Sequence, residues 1–269
     1  MVKKILNVIH QTHSQSHSLS KPQISLIASI FNGDKFLEKF INNIVELNNF
    51  ENMELLIIDS NSKNPIRKKL LPYLKKHPNI KIVRLEEPNT IYESWNIAIK
   101  LASGEYISNV NVDDQRLKPS VFDQAQFLDL NVDVDIVYGN YVYSFAPNTP
   151  IKSALKMRIK TEFPPLTTHN LLEFNSPHCA PMWRKAIHSE IGYFDESLKS
   201  AADWEFWLRC ANSGKNFACL KDPIAIYYFN QNGISTNPNS PSISEQWKIR
   251  RKYRQMLINE TKIIGSLVT

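Results

Sequence analysis

From about residue 22 to residue 138 the chain alternates short apolar runs with stretches of helical period. No other feature limits its fold as much. Ile24-Ser-Leu-Ile-Ala-Ser-Ile30, Glu54-Leu-Leu-Ile-Ile58, Asn79-Ile-Lys-Ile-Val-Arg84, Glu105-Tyr-Ile-Ser-Asn-Val110 and Asp135-Ile-Val-Tyr138 read as strands. Between them, apolar residues recur at helical spacing, as in Phe36, Leu37, Phe40, Ile41, Ile44 and Val45, with Asp34 placed to cap that helix. Further helices are expected over about 65–76, 92–102 and 119–130. This alternation implies an α/β fold built on a Rossmann-like, doubly wound, mostly parallel sheet.

The second half is less regular. Residues 146–168, rich in proline and threonine, read as a long loop. Cys179 to Trp183 and Ile224 to Phe229 read as strands, and Arg184 to Ile191 and Asp203 to Asn212 as helices. Gln246 to Ile258 reads as a basic amphipathic helix, with Lys248, Arg250, Arg251, Lys252 and Arg254 beside Trp247, Ile249 and Tyr253. The expected organisation is a polar arm over 1–21, a main domain over 22–235 and a helical tail over 236–269. His10, His13 and His17 in the arm have helical spacing, but no carboxylate or cysteine lies near to complete a metal site.

The stretch Asn109-Val-Asn-Val-Asp-Asp-Gln-Arg116 follows the fourth strand and precedes Leu117-Lys-Pro119, where proline favours a first helical turn. Asp113 and Asp114 are therefore expected at the carboxyl end of a strand, where open α/β sheets bind ligands. Carboxylates there suit a hard divalent cation. Taken alone, an Asp-Asp pair is more simply a solvated turn.

Composition excludes several classes. The net charge of +6 is spread along the chain, without the basic run of a nucleic-acid-binding protein. Three cysteines, without C-x-x-C spacing, suggest reduced thiols in a cytoplasmic protein. Neither a membrane-spanning run nor a signal peptide is apparent. The seven glycines never form G-x-G, and G-x-x-x-x-G-K-[ST] is also missing, so both common dinucleotide and phosphate-loop fingerprints are ruled out. A bound diphosphate would need another counter-charge, which a metal on the Asn111–Asp114 loop could supply.

Several segments, in order, resemble the family 2 glycosyltransferases of GT-A fold, which transfer sugars from nucleotide diphosphates with inversion. Ile24 to Gly33 is similar to their opening strand and turn, and Glu54 to Ser62 to their second strand with its Asp-x-x-Ser end. Asn89-Thr-Ile-Tyr-Glu-Ser-Trp-Asn-Ile-Ala-Ile99 is similar to their "G-[IL]-Y-D-A-x-N-x-G-I" stretch. Ile191-Gly-Tyr-Phe-Asp-Glu196 resembles the "G-x-F-D-E" turn, and Asp203-Trp-Glu-Phe-Trp-Leu-Arg209 the "E-D-x-D-x-W-L-R" helix. The resemblance covers about residues 22–235. It departs at Asn111, where the first aspartate of Asp-x-Asp is usual, at Ser29 for proline, at Trp95 for arginine and at Ala202 for glutamate.

The resemblance implies roles. Phe31 would cover the nucleotide base and Asp59 would accept from its N–H, with Tyr92, Glu93 and Asn96 lining the same pocket. Asp113 would bind Mn²⁺ or Mg²⁺. Asn111 would offer a neutral carbonyl, and Asp114 a contact to ribose or to the metal through water. Asp203 would be the base that takes the acceptor hydroxyl's proton; its plain alternative is a helix N-cap. His178 and Trp183 would line the acceptor side, and Asn230 and Ser235 would approach the diphosphate. The implied partners are a nucleotide-sugar donor and a glycan or lipid-linked acceptor, with no nucleic acid. The basic helix leaves room for peripheral contact at the inner face of the membrane. A nucleotidyltransferase would be expected to carry a glycine-rich basic loop, which is lacking. A non-catalytic nucleotide-sugar- or glycan-binding domain of a larger assembly is the remaining alternative.

Overall fold

A computed structural model describes residues 22–164 and 166–267, with side chains described through residue 255 of the last helix. The arm and its three histidines lie outside the described residues. Strands β1 (Ile24–Ile30), β2 (Met53–Asp59), β3 (Ile80–Arg84) and β4 (Tyr106–Asn109) form a parallel sheet half in the order β3-β2-β1-β4. β1 and β2 are apolar on both faces because helices cover both. Leu26, Ala28, Leu55 and Ile57 face α1 (Leu37–Val45), α2 (Ile66–Lys76) and α4 (Ser120–Leu130). Ile27, Leu56 and Ile58 face α3 (Ile91–Leu101), α8 (Ala202–Asn212) and α9 (Ser242–Leu267). Period-two alternation of each strand thus sends alternate residues into two helical layers.

Local chemistry explains several boundaries. Thr90 and Glu93 close a reciprocal capping box at the start of α3. A Cβ on Gly104 would lie 2.7 Å from the Ser25 backbone nitrogen, so the chain can enter β4 there only without a side chain. Asp34 does not cap α1. Phe36 holds the N-cap position without a side-chain bond, and Asp34 pairs with Lys69 of α2.

The rest of the sheet is mixed, in the order β4-β7-β6-β8-β5. β5 is Gln115–Arg116, β6 Ile136–Ser144, β7 Met182–Arg184 and β8 Phe217–Tyr228. β6 runs past the expected Tyr138 because β8 pairs along its length, with a register shift between Gly139 and Tyr141. Pro223 falls in the part of β8 opposite that shift, where a missing N–H breaks no ladder bond. The expected loop over 146–168 contains α5 (Ile151–Met157), seated by buried Ala154 and tied to β6 by a bridge from Lys160 to Val142. The short helices α6 (Thr168–Glu173) and α7 (Ile187–Ile191) flank β7.

The helix expected as a tail is seated on the domain. Ile249 and Tyr253 of α9 enter the core shared by α3 and α8. No helix among the described residues is long and apolar enough to cross a membrane.

Candidate active site

The acidic loop follows β4 and is held on several sides. Asn109 Nδ2 donates to the Cys179 carbonyl at 3.2 Å. Asp114 is buried, and both its oxygens accept from the protein. The Tyr228 N–H donates to Oδ1 and Asn111 Nδ2 donates to Oδ2, each at 2.9 Å. Behind it lies the buried Arg116 guanidinium, bonded to the Ala180 carbonyl and Gln124. Burial, and then the charge of Asp113, push the Asp114 carboxyl well above the usual range.

Asp113 differs. It is half-buried, its pKa is raised by burial, and among the described residues its carboxylate accepts only from its own backbone N–H. Lys35 is the positive charge that it feels. Asp114 therefore shapes the loop, while Asp113 keeps a carboxylate free for a ligand. Two adjacent carboxylates with raised pKa values, one uncommitted, fit a hard cation, whose charge would favour their ionised forms. Among the described residues no three His, Cys, Asp or Glu side chains form a cation cage. A cation here would need further oxygen from water or a diphosphate.

At the ends of β1 and β2, Phe31 is 55% exposed and available to a flat ligand. Asp59, only 1% exposed, is more constrained than a free acceptor. The Ser62 N–H donates to Oδ1 at 2.9 Å, and Arg84 Nη1 donates to Oδ2 at 2.6 Å. Arg84 also bonds Asn61 Oδ1 and the Ser62 carbonyl, so this turn is clamped in place.

Asp203 is near the start of α8 and is 8% exposed. Its side chain does not cap the helix. Tyr92 Oη donates to Oδ1 at 2.9 Å, and Asn175 Nδ2 donates to Oδ2 at 2.7 Å. The Asn175 oxygen is buried without a partner among the described residues. His178 packs edge-on against Tyr227 at 4.9 Å between ring centroids, and its Nδ1 is likewise buried, with no hydrogen-bond partner among the described residues. Burial lowers the His178 pKa, and the charge of Asp203 opposes that shift. The short segment from Asn175 to Cys179 thus reaches Asp203 at one end and the acidic loop at the other.

Three residues expected on the donor wall lie in the first turns of α3, each bonded within the protein. Tyr92 is bonded to Asp203. A Glu93 oxygen accepts from the Thr90 N–H in the capping box. The Asn96 amide is committed to the Phe194–Glu196 turn: Nδ2 donates to Phe194 O and Glu196 Oε1, and Oδ1 accepts from Phe194 N. Trp183 is a core residue, with Nε1 donating to His188 Nε2 at 2.9 Å. Asn230 closes a surface turn through its carbonyl, which accepts from the Gly233 N–H. The roles of Asn175 and Arg84 had no local signal, because their partners lie far away in sequence.

A small cavity of about 10 Å³ touches Asn111, Asp114, Arg116 and Cys179, barely enough for one water. A larger one of about 400 Å³ lies between α1 and α2, lined by Asp34, Lys69 and Tyr73. It shares no residue with the groups above.

The profile of glycosyl transferase family 2 matches residues 25–190. A putative teichuronic acid biosynthesis glycosyltransferase of Bacillus subtilis is 27% identical over 233 residues, covering 86% of each chain. The S. aureus TarS fragment crystallised with UDP-GlcNAc superposes with a TM-score of 0.68 at 21% identity, over 86% of this chain and 65% of that one. A mannosyltransferase of Pyrobaculum calidifontis, crystallised with GDP-Man and Mn²⁺, superposes with a TM-score of 0.60 at 16% identity, over 86% and 61%. The chain therefore spans less than two thirds of these solved chains. Their likeness bears on the fold, and the GT-A architecture is common to all. With the family profile covering more than half of its length, and the acidic loop at the carboxyl end of β4 inside that match, the chain belongs to glycosyl transferase family 2.

Proposed function

We propose that the chain transfers a sugar from a nucleoside-diphosphate sugar to a hydroxyl of a surface glycan or lipid-linked saccharide, with inversion at the anomeric carbon. One observation carries this reading. The segment from Asn175 to Cys179 bonds Asp203 at one end and, at the other, Asn109 at the start of the loop that carries Asp113, so two acidic stretches distant in sequence border one short segment. Inverting transfer needs acidic groups on two sides of one cleft. One side faces the leaving diphosphate and the other faces the attacking hydroxyl.

Asp113, with Asn111 beside it, would hold Mn²⁺ or Mg²⁺, and Asp114 would keep that loop in shape. A cation bound there would stabilise negative charge on the departing diphosphate. Phe31 and the clamped Asp59 turn would receive the nucleoside. Asp59 uses one bond per oxygen, and a carboxylate oxygen can accept a second from a base N–H. Asp203 would take the hydroxyl proton as that oxygen attacks the anomeric carbon. Tyr92 and Asn175 hold its two oxygens, and each oxygen keeps a lone pair that could take a proton. The name of the Bacillus subtilis relative supports a polysaccharide product, and the ligands of the two solved structures support UDP- or GDP-linked donors.

The test is consumption of a panel of UDP- and GDP-sugars with Mn²⁺, with and without polyol-phosphate and lipid-linked acceptors. Acceptor-dependent transfer giving inverted product supports the reading. Donor binding without transfer or hydrolysis in any pairing would instead favour a binding domain.

A further inference from the structure

Helix α8, which carries Asp203, starts without a cap of its own. Ala201 occupies the N-cap position and offers no side-chain acceptor. The chain entering the helix is held from elsewhere. The backbone N–H groups of Lys199, Ser200 and Ala201 donate to a single carboxylate, that of Glu245 in α9, at 2.8, 2.9 and 3.1 Å. Glu245 is only 6% exposed. Three charge-assisted bonds to consecutive amides fix that turn firmly, and a carboxylate at the positive end of a helix is favoured by the helix dipole.

α9 grips α8 at further points. Tyr253 Oη donates to Glu205 Oε1 at 2.8 Å, and Arg250 stacks over the Trp204 ring at 4.9 Å. The charge of Glu245 also reaches Tyr92, the donor to Asp203. Burial and Asp203 raise the Tyr92 hydroxyl pKa, and Glu245 adds to that rise. The turn that Glu245 holds is two residues from Asp203. Motion there would carry the carboxylate away from Tyr92 and Asn175.

We propose that Glu245 is a positioning residue for the transfer reaction, so that α9, beyond the family-matched region, completes the active site. This rests on the reading of Asp203 as the base. Displacing a reacting group by about 1 Å can cost about 100-fold in rate.

The experiment uses the full chain and the most active donor of the UDP- and GDP-sugar panel. It compares Glu245→Ala, Glu245→Gln, Leu70→Ala and Asp203→Asn. Glu245→Ala is expected to lower kcat by about 10- to 100-fold with donor KM unchanged, since the donor is held by other elements. Glu245→Gln keeps one acceptor oxygen and recovers part of the loss. Leu70→Ala opens a cavity under α2, in the core layer on the other side of the sheet from α8 and α9. It lowers the melting temperature and leaves kcat per folded molecule at the parental value. Parental kcat in Glu245→Ala, or an equal fall in Leu70→Ala, overturns the proposal. An inactive Asp203→Asn beside a fully active Glu245→Ala refutes the role of Glu245 alone. A fully active Asp203→Asn refutes the base, and the positioning role with it.

Discussion

The bond from Tyr92 to Asp203 can be weighed directly. Tyr92→Phe removes one hydroxyl and keeps a ring packed against Trp95 and Phe194, at 5.5 and 5.9 Å between centroids. Apolar burial is therefore nearly unchanged, and the loss is that of a hydrogen bond to a charged group, about 1.5–3 kcal/mol. Asp203→Asn removes the charge from the same bond. The unpartnered Asn175 oxygen lets that variant fit, because a flip of the Asn175 amide would present its carbonyl to the new NH₂ group. The assay is a double-mutant cycle in urea, using the parent, both single variants and the double variant. If the bond is as short and buried as the structure shows, the two losses overlap by roughly 1–3 kcal/mol. Losses that add to within about 0.5 kcal/mol would mean that the two groups do not interact, and the positioning of Asp203 by Tyr92 would fall.

Other perturbations test separate parts. Asp113→Asn should abolish Mn²⁺-dependent nucleotide binding, read by thermal shift, while leaving the fold intact; a variant with unchanged Mn²⁺ dependence would refute Asp113 as a ligand. His188 is held neutral between Trp183 and the Gly192 carbonyl, with its pKa pushed down to about 4, chiefly by burial. Its folded pKa is below its unfolded value near 6.5, so stability is fully present above about pH 6.5 and is lost as pH falls toward 4. That loss should reach about 3 kcal/mol in the parent relative to His188→Gln, and identical pH slopes in urea unfolding would contradict it. Trp247 is 67% exposed beside Lys248 and Arg251, and we propose that this face meets anionic membranes. Flotation should show binding to anionic vesicles over neutral ones, and equal, negligible binding to both removes the idea.

The parallel half of the fold was legible because β1 and β2 are buried on both faces, which leaves mostly apolar runs broken by few polar residues, Ser25 and Ser29 in β1 and Glu54 in β2. The place of the acidic loop was legible for a related reason: a strand end followed by proline marks the carboxyl edge of the sheet. α5 was hidden because seven residues hold too few turns for a helical period to stand out. The site was legible in its carboxylates and less so in what orients them. Asp59 is clamped by Arg84, and Asp203 is held by Tyr92 and Asn175, across chain separations that no spacing rule spans. Asn96 shows the opposite case, a polar residue in a family-like stretch whose amide serves a turn. Ala202 was visible as a departure from the family pattern. Only the fold shows that Glu245 sets a carboxylate against the turn just before it.

The central claim is that Asp203 takes the acceptor's proton, and Asp203→Asn tests it most directly. The variant keeps the shape of the side chain and cannot accept a proton. Because Asp203 does not cap α8, a purely structural role would have to act through Tyr92 and Asn175, and the unfolding cycle measures that part separately. Donor affinity and transfer rate are measured on the variant beside the parent, with the donor and acceptor that the parent uses. The account predicts parental donor affinity with transfer lowered by roughly 10² to 10⁴, the usual contribution of general base catalysis. Transfer near the parental rate would contradict it.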